Sequence, residues 1–184
     1  MKDSAVQTLR PNVTQAEAIE EFSKQGLGSL LWRARSGPLQ RIAGAYVPYA
    51  MYEVRYVMAR ASQVRLFAMD TVAGSLDLFE FPQTPGEKDL LAVDGRNCLQ
   101  SGLSHESAAE LLREKVLRVI FQQGFFKLRE ASLEIARQPM EFYLPYWLGF
   151  YSGGGPVRCR VMDAVRRRIE GYKASAFFEE WLAA

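Results

Sequence analysis

Apolar and polar positions along the chain fall into two similar series, each a stretch of helical spacing followed by stretches that alternate. The first series opens with Thr14-Gln15-Ala16-Glu17, a threonine three residues before a glutamate, which is the pattern of a capping box. Ala18, Ile19 and Phe22 then share one helical face, and Gly26 is the expected stop. Leu27 to Trp32 and a Ser36-Gly37-Pro38 turn lead to a long strand over Ala45 to Met58, in which Tyr52, Val54 and Tyr56 alternate with Glu53, Arg55 and Val57. A strand over Val64 to Met69, a turn over Asp70 to Gly74 and a last strand over Ser75 to Phe81 complete the series. The last strand alternates polar and apolar residues and so has one wet face.

Between Pro82 and Gly102 turn formers dominate, with Pro85-Gly86 and Asp94-Gly95 as the clearest punctuation, and Leu90, Leu91 and Val93 form a candidate short strand. The second series repeats the scheme. Ser107-Ala108-Ala109-Glu110 reads as a capping box, Leu112, Val116, Val119 and Ile120 share a face, and Gly124 follows. Phe126 to Ile135 reads as extended and Phe142 to Tyr151 as the counterpart of the long strand. Val157 to Met162 and Ile169 to Lys173 complete the meander, and Ser175 to Leu182 forms a closing helix with Phe177, Phe178 and Trp181 on its buried side.

The two series share residues as well as periods. Tyr46-Val47-Pro48-Tyr49 recurs as Tyr143-Leu144-Pro145-Tyr146. Val64-Arg65 followed by Met69-Asp70-Thr71-Val72 recurs as Val157-Arg158 followed by Met162-Asp163-Ala164-Val165. Self-similarity in the same order implies two copies of one supersecondary unit. The expectation is an α+β protein of two tandem repeats, each a helix packed on an antiparallel β-meander. The first repeat covers 1–81, a linker 82–103, and the second repeat with a short C-terminal helix 104–184.

A helix followed by a meander that carries Tyr52-Glu53-Val54, then Met69-Asp70 and Gly74 before a last strand, resembles the PepSY-like domain family. The resemblance covers about the last two-thirds of each half. The second half departs from the motif, with Gly149-Phe150-Tyr151 in place of the Tyr-Glu-Val stretch and Arg167 in place of Gly74. An arginine tolerates a positive φ poorly, so the second turn is expected to differ in shape. The resemblance implies a small α+β module without catalytic residues, one that regulates or inhibits peptidases or mediates contacts outside the cytoplasm.

Composition narrows the classes further. A formal charge of +2 on 184 residues, 48% of them hydrophobic, suits a globular chain that can bury a substantial core, and does not by itself indicate a polyanion partner. Cys98 and Cys159 are too few and too far apart for a disulfide framework, and with one histidine they cannot supply a zinc set, so neither metal nor cofactor is expected. Met1-Lys2-Asp3-Ser4 opens no signal peptide, and the uncharged run 142–157 is broken by prolines and glycines before it reaches a membrane-spanning length of about 20 residues. Cytoplasmic is the default location, and an extracytoplasmic one follows if the chain was trimmed from a longer parent.

Candidate chemistry is sparse. His105 is the one histidine and stands beside Ser104 and Glu106, but a triad is a matter of geometry and adjacency does not make one. Gly153-Gly154-Gly155 lacks the lysine and hydroxyl that end a phosphate loop, and reads as a hairpin. Asp70 and Asp163 occupy equivalent places, where an aspartate ordinarily bonds its own turn, although a pair of carboxylates could also do acid–base work. No catalytic residue and no enzymatic activity are expected.

Tyr46, Tyr49, Tyr143, Tyr146 and Trp147 are the candidate binding surface, because such rings join a large apolar area to a polar tip. In the competing structural reading each proline sets the start of a long strand and its tyrosines pack. Arg166, Arg167 and Arg168, with Arg158 and Arg160, form the densest basic cluster, either a solvated turn or a contact for phosphate or an acidic protein. The expected role is a non-enzymatic protein- or peptide-binding module, with a regulatory one in view. The alternative is a carrier for a small apolar or aromatic ligand held in a cleft between the repeats by Tyr46, Tyr49, Trp147, Phe150 and Tyr151. Nucleic acid ranks below both, and an uncovered strand edge leaves dimerisation open.

Overall fold

A computed structural model of the chain describes residues 5–24, 36–58, 61–122, 133–153 and 157–183. The expected helix stops Gly26 and Gly124, the stretch 27–32, most of 126–135 and part of the glycine loop, 154–156, lie outside the described residues. The architecture is α+β. Its strands are β1 Val6–Leu9, β2 Leu39–Met58, β3 Ala61–Asp70, β4 Phe79–Phe81, β5 Leu90–Val93, β6 Leu133–Tyr151, β7 Arg158–Asp163 and β8 Arg168–Ile169. The helices described are α1 Gln15–Ser23, α2 His105–Gln122 and α3 Tyr172–Ala183. Hydrogen-bonded neighbours run β4-β3-β2-β6-β1-β5, with β7 on β6 and β8 on β7.

The chain forms two compact units. One takes Met1–Val47, Asp89–Leu99 and Tyr143–Ala184, and the other takes Pro48–Lys88 and Gln100–Phe142. Each sequence half, 1–81 and 104–184, is therefore shared between the units.

In the unit built on residues 48–88 and 100–142, β2 and β3 pair antiparallel from Tyr49 against Asp70 to Met58 against Ala61. Alternation sends Tyr52, Val54, Tyr56, Phe67 and Met69 to one face, where they bury against Ala108, Leu112, Val116 and Ile120 of α2. The i, i+4, i+8, i+12 spacing of those four residues makes the apolar stripe that holds α2 in place.

In the unit that contains both termini, Ala18 and Phe22 of α1 pack with Val13, Tyr151 and Met162. Gly149 admits the Phe22 ring, because a Cβ there would stand 3.0 Å from it. Phe178 of α3 meets Tyr146 at 5.4 Å between ring centroids. Tyr146 and Tyr151 differ in parity on β6, so α1 and α3 cover its opposite faces.

Several sequence expectations need correction. The second helix starts a turn early: the Ser107 N–H donates to Ser104 Oγ at 3.2 Å, so Ser104 is the cap and Ser107-Glu110 forms no capping box. Ile19 is 42% exposed and lies off the buried stripe. Ser75 to Leu78 is not strand, because the Leu76 N–H is held by the Asp70 carboxylate at 2.9 Å, and β4 keeps only Phe79–Phe81. The strand expected over 169–173 ends at Ile169, and α3 takes over at Tyr172.

Candidate functional site

The twin Tyr-x-Pro-Tyr segments sit inside the long strands, and neither proline begins one. On β2, Tyr46 pairs in parallel with Cys98: its N–H donates to the Asn97 carbonyl at 2.9 Å and its own carbonyl accepts from Leu99 at 2.9 Å. Three residues later Tyr49 pairs with Asp70 of β3. Pro48 falls at the change of partner, where a missing N–H costs nothing, and its carbonyl accepts from the Thr71 N–H at 2.9 Å. On β6 the order repeats. Tyr143 pairs in parallel with Thr8, Tyr146 pairs with Asp163, and the Pro145 carbonyl accepts from the Ala164 N–H at 3.1 Å.

Packing, more than display, occupies these rings. Tyr49 is 2% exposed and Tyr146 5%, whereas Tyr46, Tyr143 and Trp147 are half-buried. The Trp147 indole N–H donates to the Val13 carbonyl at 2.9 Å. Burial raises the Tyr46 hydroxyl above its ordinary pKa, and the neighbouring Cys98 adds to the shift. Tyr46, Tyr143, Tyr146, Trp147 and the three arginines belong to one unit, and Tyr49 belongs to the other.

Asp70 and Asp163 end β3 and β7, one in each unit, and both are buried. The Asp70 carboxylate accepts from Ala73, Gly74 and Leu76 at 3.0, 2.8 and 2.9 Å. One oxygen of Asp163 accepts from Val165 and Arg166, both at 2.8 Å, but its Oδ2 has no hydrogen-bond partner and only the Arg166 guanidinium 3.7 Å away. Burial pushes the Asp163 carboxyl above the usual carboxylate range, against the pull of the Arg166 N–H and charge. Both residues thus organise their own turns.

Arg167 corrects an expectation. It adopts φ 57° where Gly74 adopts φ 63°, so the two turns share the left-handed backbone. Its guanidinium donates to the Asn12 carbonyl at 2.6 Å and to Glu17 at 3.0 Å, bonds that offset a strain of about 1–3 kcal/mol. Arg166 faces Asp163, and Arg168 holds Glu170 at 2.9 Å. Arg166, Arg167 and Arg168 are thus engaged by acids of their own unit.

His105 is exposed on the first turn of α2 and bonds Arg137, which also pairs with Glu141. Burial, with the charge of Glu179 added, pushes the Cys159 thiol up to about 12. No group of histidine, cysteine or acidic side chains among the described residues could hold a metal ion, and no described helix is long and apolar enough to cross a membrane.

Strand edges supply a feature the sequence reading left unplaced. The bond from the Thr71 N–H to the Pro48 carbonyl fixes the ladder phase on β3, so Ser62, Val64, Leu66 and Ala68 turn their N–H and C=O away from β2. β4 pairs only with Leu66 to Ala68. Ser62 and Val64 therefore present backbone groups unpaired among the described residues, beside a Val64 side chain that is 53% exposed. On β7 the outward groups of Cys159 and Val161, which answer Leu66 and Ala68 of β3, are likewise taken: the Cys159 N–H donates to Glu179 of α3 at 3.1 Å, and the Glu170 N–H donates to the Val161 carbonyl at 2.9 Å.

No protein-family model, curated protein or solved structure matches this chain.

Proposed function

We propose that this chain is a non-enzymatic peptide- or protein-binding module, made of two diverged tandem copies of one helix-plus-meander unit, that takes an extended peptide along the outer edge of β3. The observation that carries the reading is the backbone of Ser62 and Val64, unpaired among the described residues because β4 stops at Phe81. An added strand would pair with those groups in line with β4, and the exposed Val64 side chain favours an apolar residue opposite it.

Matched bonds support the duplication. The Tyr46–Cys98 bridge answers the Tyr143–Thr8 bridge, the Pro48–Thr71 bond answers Pro145–Ala164, and the Thr14 cap answers the Ser104 cap. The Asn12 N–H donates to the Ala164 carbonyl and the Gly102 N–H to the Thr71 carbonyl, both at 2.8 Å. Thr8 and Asn12 of the first repeat thus complete a strand and a turn of the second, and Cys98 and Gly102 of the linker complete those of the first.

No observation favours the small-ligand carrier. Trp147 bonds Val13, Tyr151 donates its hydroxyl to the Phe22 carbonyl at 3.0 Å, and Phe150 lies under the Arg41 guanidinium at 4.8 Å.

A displayed library of random peptides, panned on the immobilised full chain, tests the peptide reading. Enrichment of alternating apolar peptides that no longer bind Val64→Pro is expected, together with slowed amide exchange at residues 62–64 in their presence. Proline at 64 removes only an outward N–H and spares the β2 ladder. A library without enrichment, or enriched peptides that bind the variant equally, would refute it.

A further inference from the structure

The first turn of α2 meets a side-chain cluster separate from the strand edges. Arg137 of β6 extends Nη1 to the His105 ring and Nη2 to the Glu141 carboxylate. Glu141 is 63% exposed against 27% for Arg137, so the acid holds the guanidinium from the solvent side. Ser104 caps the Ser107 N–H, but the N–H groups of His105 and Glu106 have no partner among the described residues. They carry the positive end of an 18-residue helix.

Next to this cluster is a hydroxyl that contributes no bond to the fold. Tyr52 of β2 is 2% exposed and packs with Ala108, three residues along α2 from His105. Its hydroxyl is buried and has no hydrogen-bond partner. Burial raises that hydroxyl above its ordinary pKa, so it stays an O–H donor, and the charges that act on it are those of Arg137 and Glu141. Buried hydroxyls are as a rule paired, and phenylalanine would fill the same space without leaving a donor unsatisfied. An orphan donor beside an arginine and a helix N-terminus is arranged to meet an anion from outside the chain. All of these residues belong to the unit built on 48–88 and 100–142.

We propose that this cluster binds the carboxylate of a small organic acid, which displaces Glu141 from Arg137. Glu141 shows the chemistry that the guanidinium fork accepts, since the chain already seats a carboxylate there. An untethered carboxylate offers about four lone-pair sites, enough to accept from Arg137, from the His105 and Glu106 N–H groups and from the Tyr52 hydroxyl that Glu141 leaves unbonded. The acids beside the site, Glu106 and Glu141, favour a singly charged ligand over a dianion such as phosphate.

His105 is the one histidine of the chain, so its ring protons report on the site alone. The full chain is titrated with sodium acetate at fixed pH and ionic strength and followed by proton NMR. A saturable shift of the His105 signals is expected. Arg137→Gln and Tyr52→Phe should each weaken acetate binding by about tenfold or more, as loss of a hydrogen bond to a charged group does. Glu141→Gln should tighten it by removing the tethered rival. Tyr52→Phe keeps the test decisive if Arg137→Gln does not fold, because removing an unpaired hydroxyl spares stability. A shift that does not saturate, wild-type affinity in Tyr52→Phe, a Glu141→Gln that binds no tighter, or saturation by phosphate and not by acetate would overturn the proposal.

Discussion

Replacing each turn aspartate by asparagine separates two carboxylates that the sequence makes equivalent. Asp70 uses both oxygens, one toward Ala73 and Gly74 and the other toward Leu76. In Asp70→Asn the amide NH2 must take one of those places. At best the bond to Leu76 is lost and two buried donors face each other. Loss of a hydrogen bond to a charged group costs about 1.5–3 kcal/mol, and leaving a buried donor unsatisfied costs about 1–3 kcal/mol more. A net loss of about 3 kcal/mol is expected, which for a chain of this size lowers Tm by about 6–12 °C.

Asp163 uses one oxygen for both of its backbone bonds, and Oδ2 accepts none. In Asp163→Asn the NH2 can take the Oδ2 position and keep both bonds; the cost is the long ion pair to Arg166 and an amide donor buried without an acceptor, about 1–3 kcal/mol by the same measure. Because burial raises the folded pKa of Asp163, the acid's contribution to stability is present at low pH and is lost as pH rises through that pKa. The asparagine variant avoids that loss, so relative to wild type it should gain stability between acid and neutral pH. Paired urea denaturations at acid and neutral pH measure both changes. If the deficit of Asp163→Asn relative to wild type failed to shrink between acid and neutral pH, the reasoning about its buried carboxyl would be wrong.

Three further outcomes follow from particular contacts. Bonds from the Thr14 N–H and hydroxyl, helped by Arg167, hold the Glu17 carboxyl at about 2 against an ordinary 4.5. Its support for α1 is therefore complete above about 4.5 and fades as pH falls toward 2, a slope that Glu17→Gln should abolish in acid titrations followed by circular dichroism. Tyr151→Phe should cost about 1 kcal/mol through its lost bond to the Phe22 carbonyl, whereas Tyr52→Phe should be neutral or stabilising because the Tyr52 hydroxyl is buried without a partner; thermal denaturation compares them. Gly74→Ala should destabilise by about 1–3 kcal/mol in chemical denaturation, since a Cβ at φ 63° would stand 2.9 Å from Leu111.

What was legible in the sequence was local. The Thr14–Glu17 box closes within one turn, and β3, β7 and α3 were readable because each carries its own alternation or stripe. β1 was missed because Val6-Gln7-Thr8-Leu9 is too short to show a period, and its partners, Val93 and Tyr143, lie far along the chain. Ser75 to Leu78 alternates like a strand, yet the Asp70 carboxylate takes its N–H from the ladder, a competition no period reveals. Arg167 misled in the opposite sense, because the bonds that hold its left-handed backbone come from Asn12 and Glu17, far earlier in the chain. Of the candidate site, the tyrosines were visible as residues, but their burial was not, and the open edge depends on ladder phase, which needs the partner strand.

Proline placement joins the proposed duplication to the proposed binding edge. A long strand that changes neighbours has one position where the old ladder has stopped and the new one has not begun, and a residue without an N–H fits there at no loss. Pro48 and Pro145 both occupy it, each followed by a tyrosine at the first rung of the new hairpin. That rung fixes the phase, and the phase decides which backbone groups of β3 and β7 point outward. On β7 the outward groups of Cys159 and Val161 meet Glu179 and Glu170, and at the matching places on β3 those of Leu66 and Ala68 meet β4, whereas the groups at Ser62 and Val64, beyond the end of β4, meet nothing among the described residues. Under the proposed duplication both copies close the same two rungs beside the turn, Leu66 and Ala68 through β4 and Cys159 and Val161 through Glu179 and Glu170, so the candidate edge on β3 is the stretch that begins where that shared closure ends.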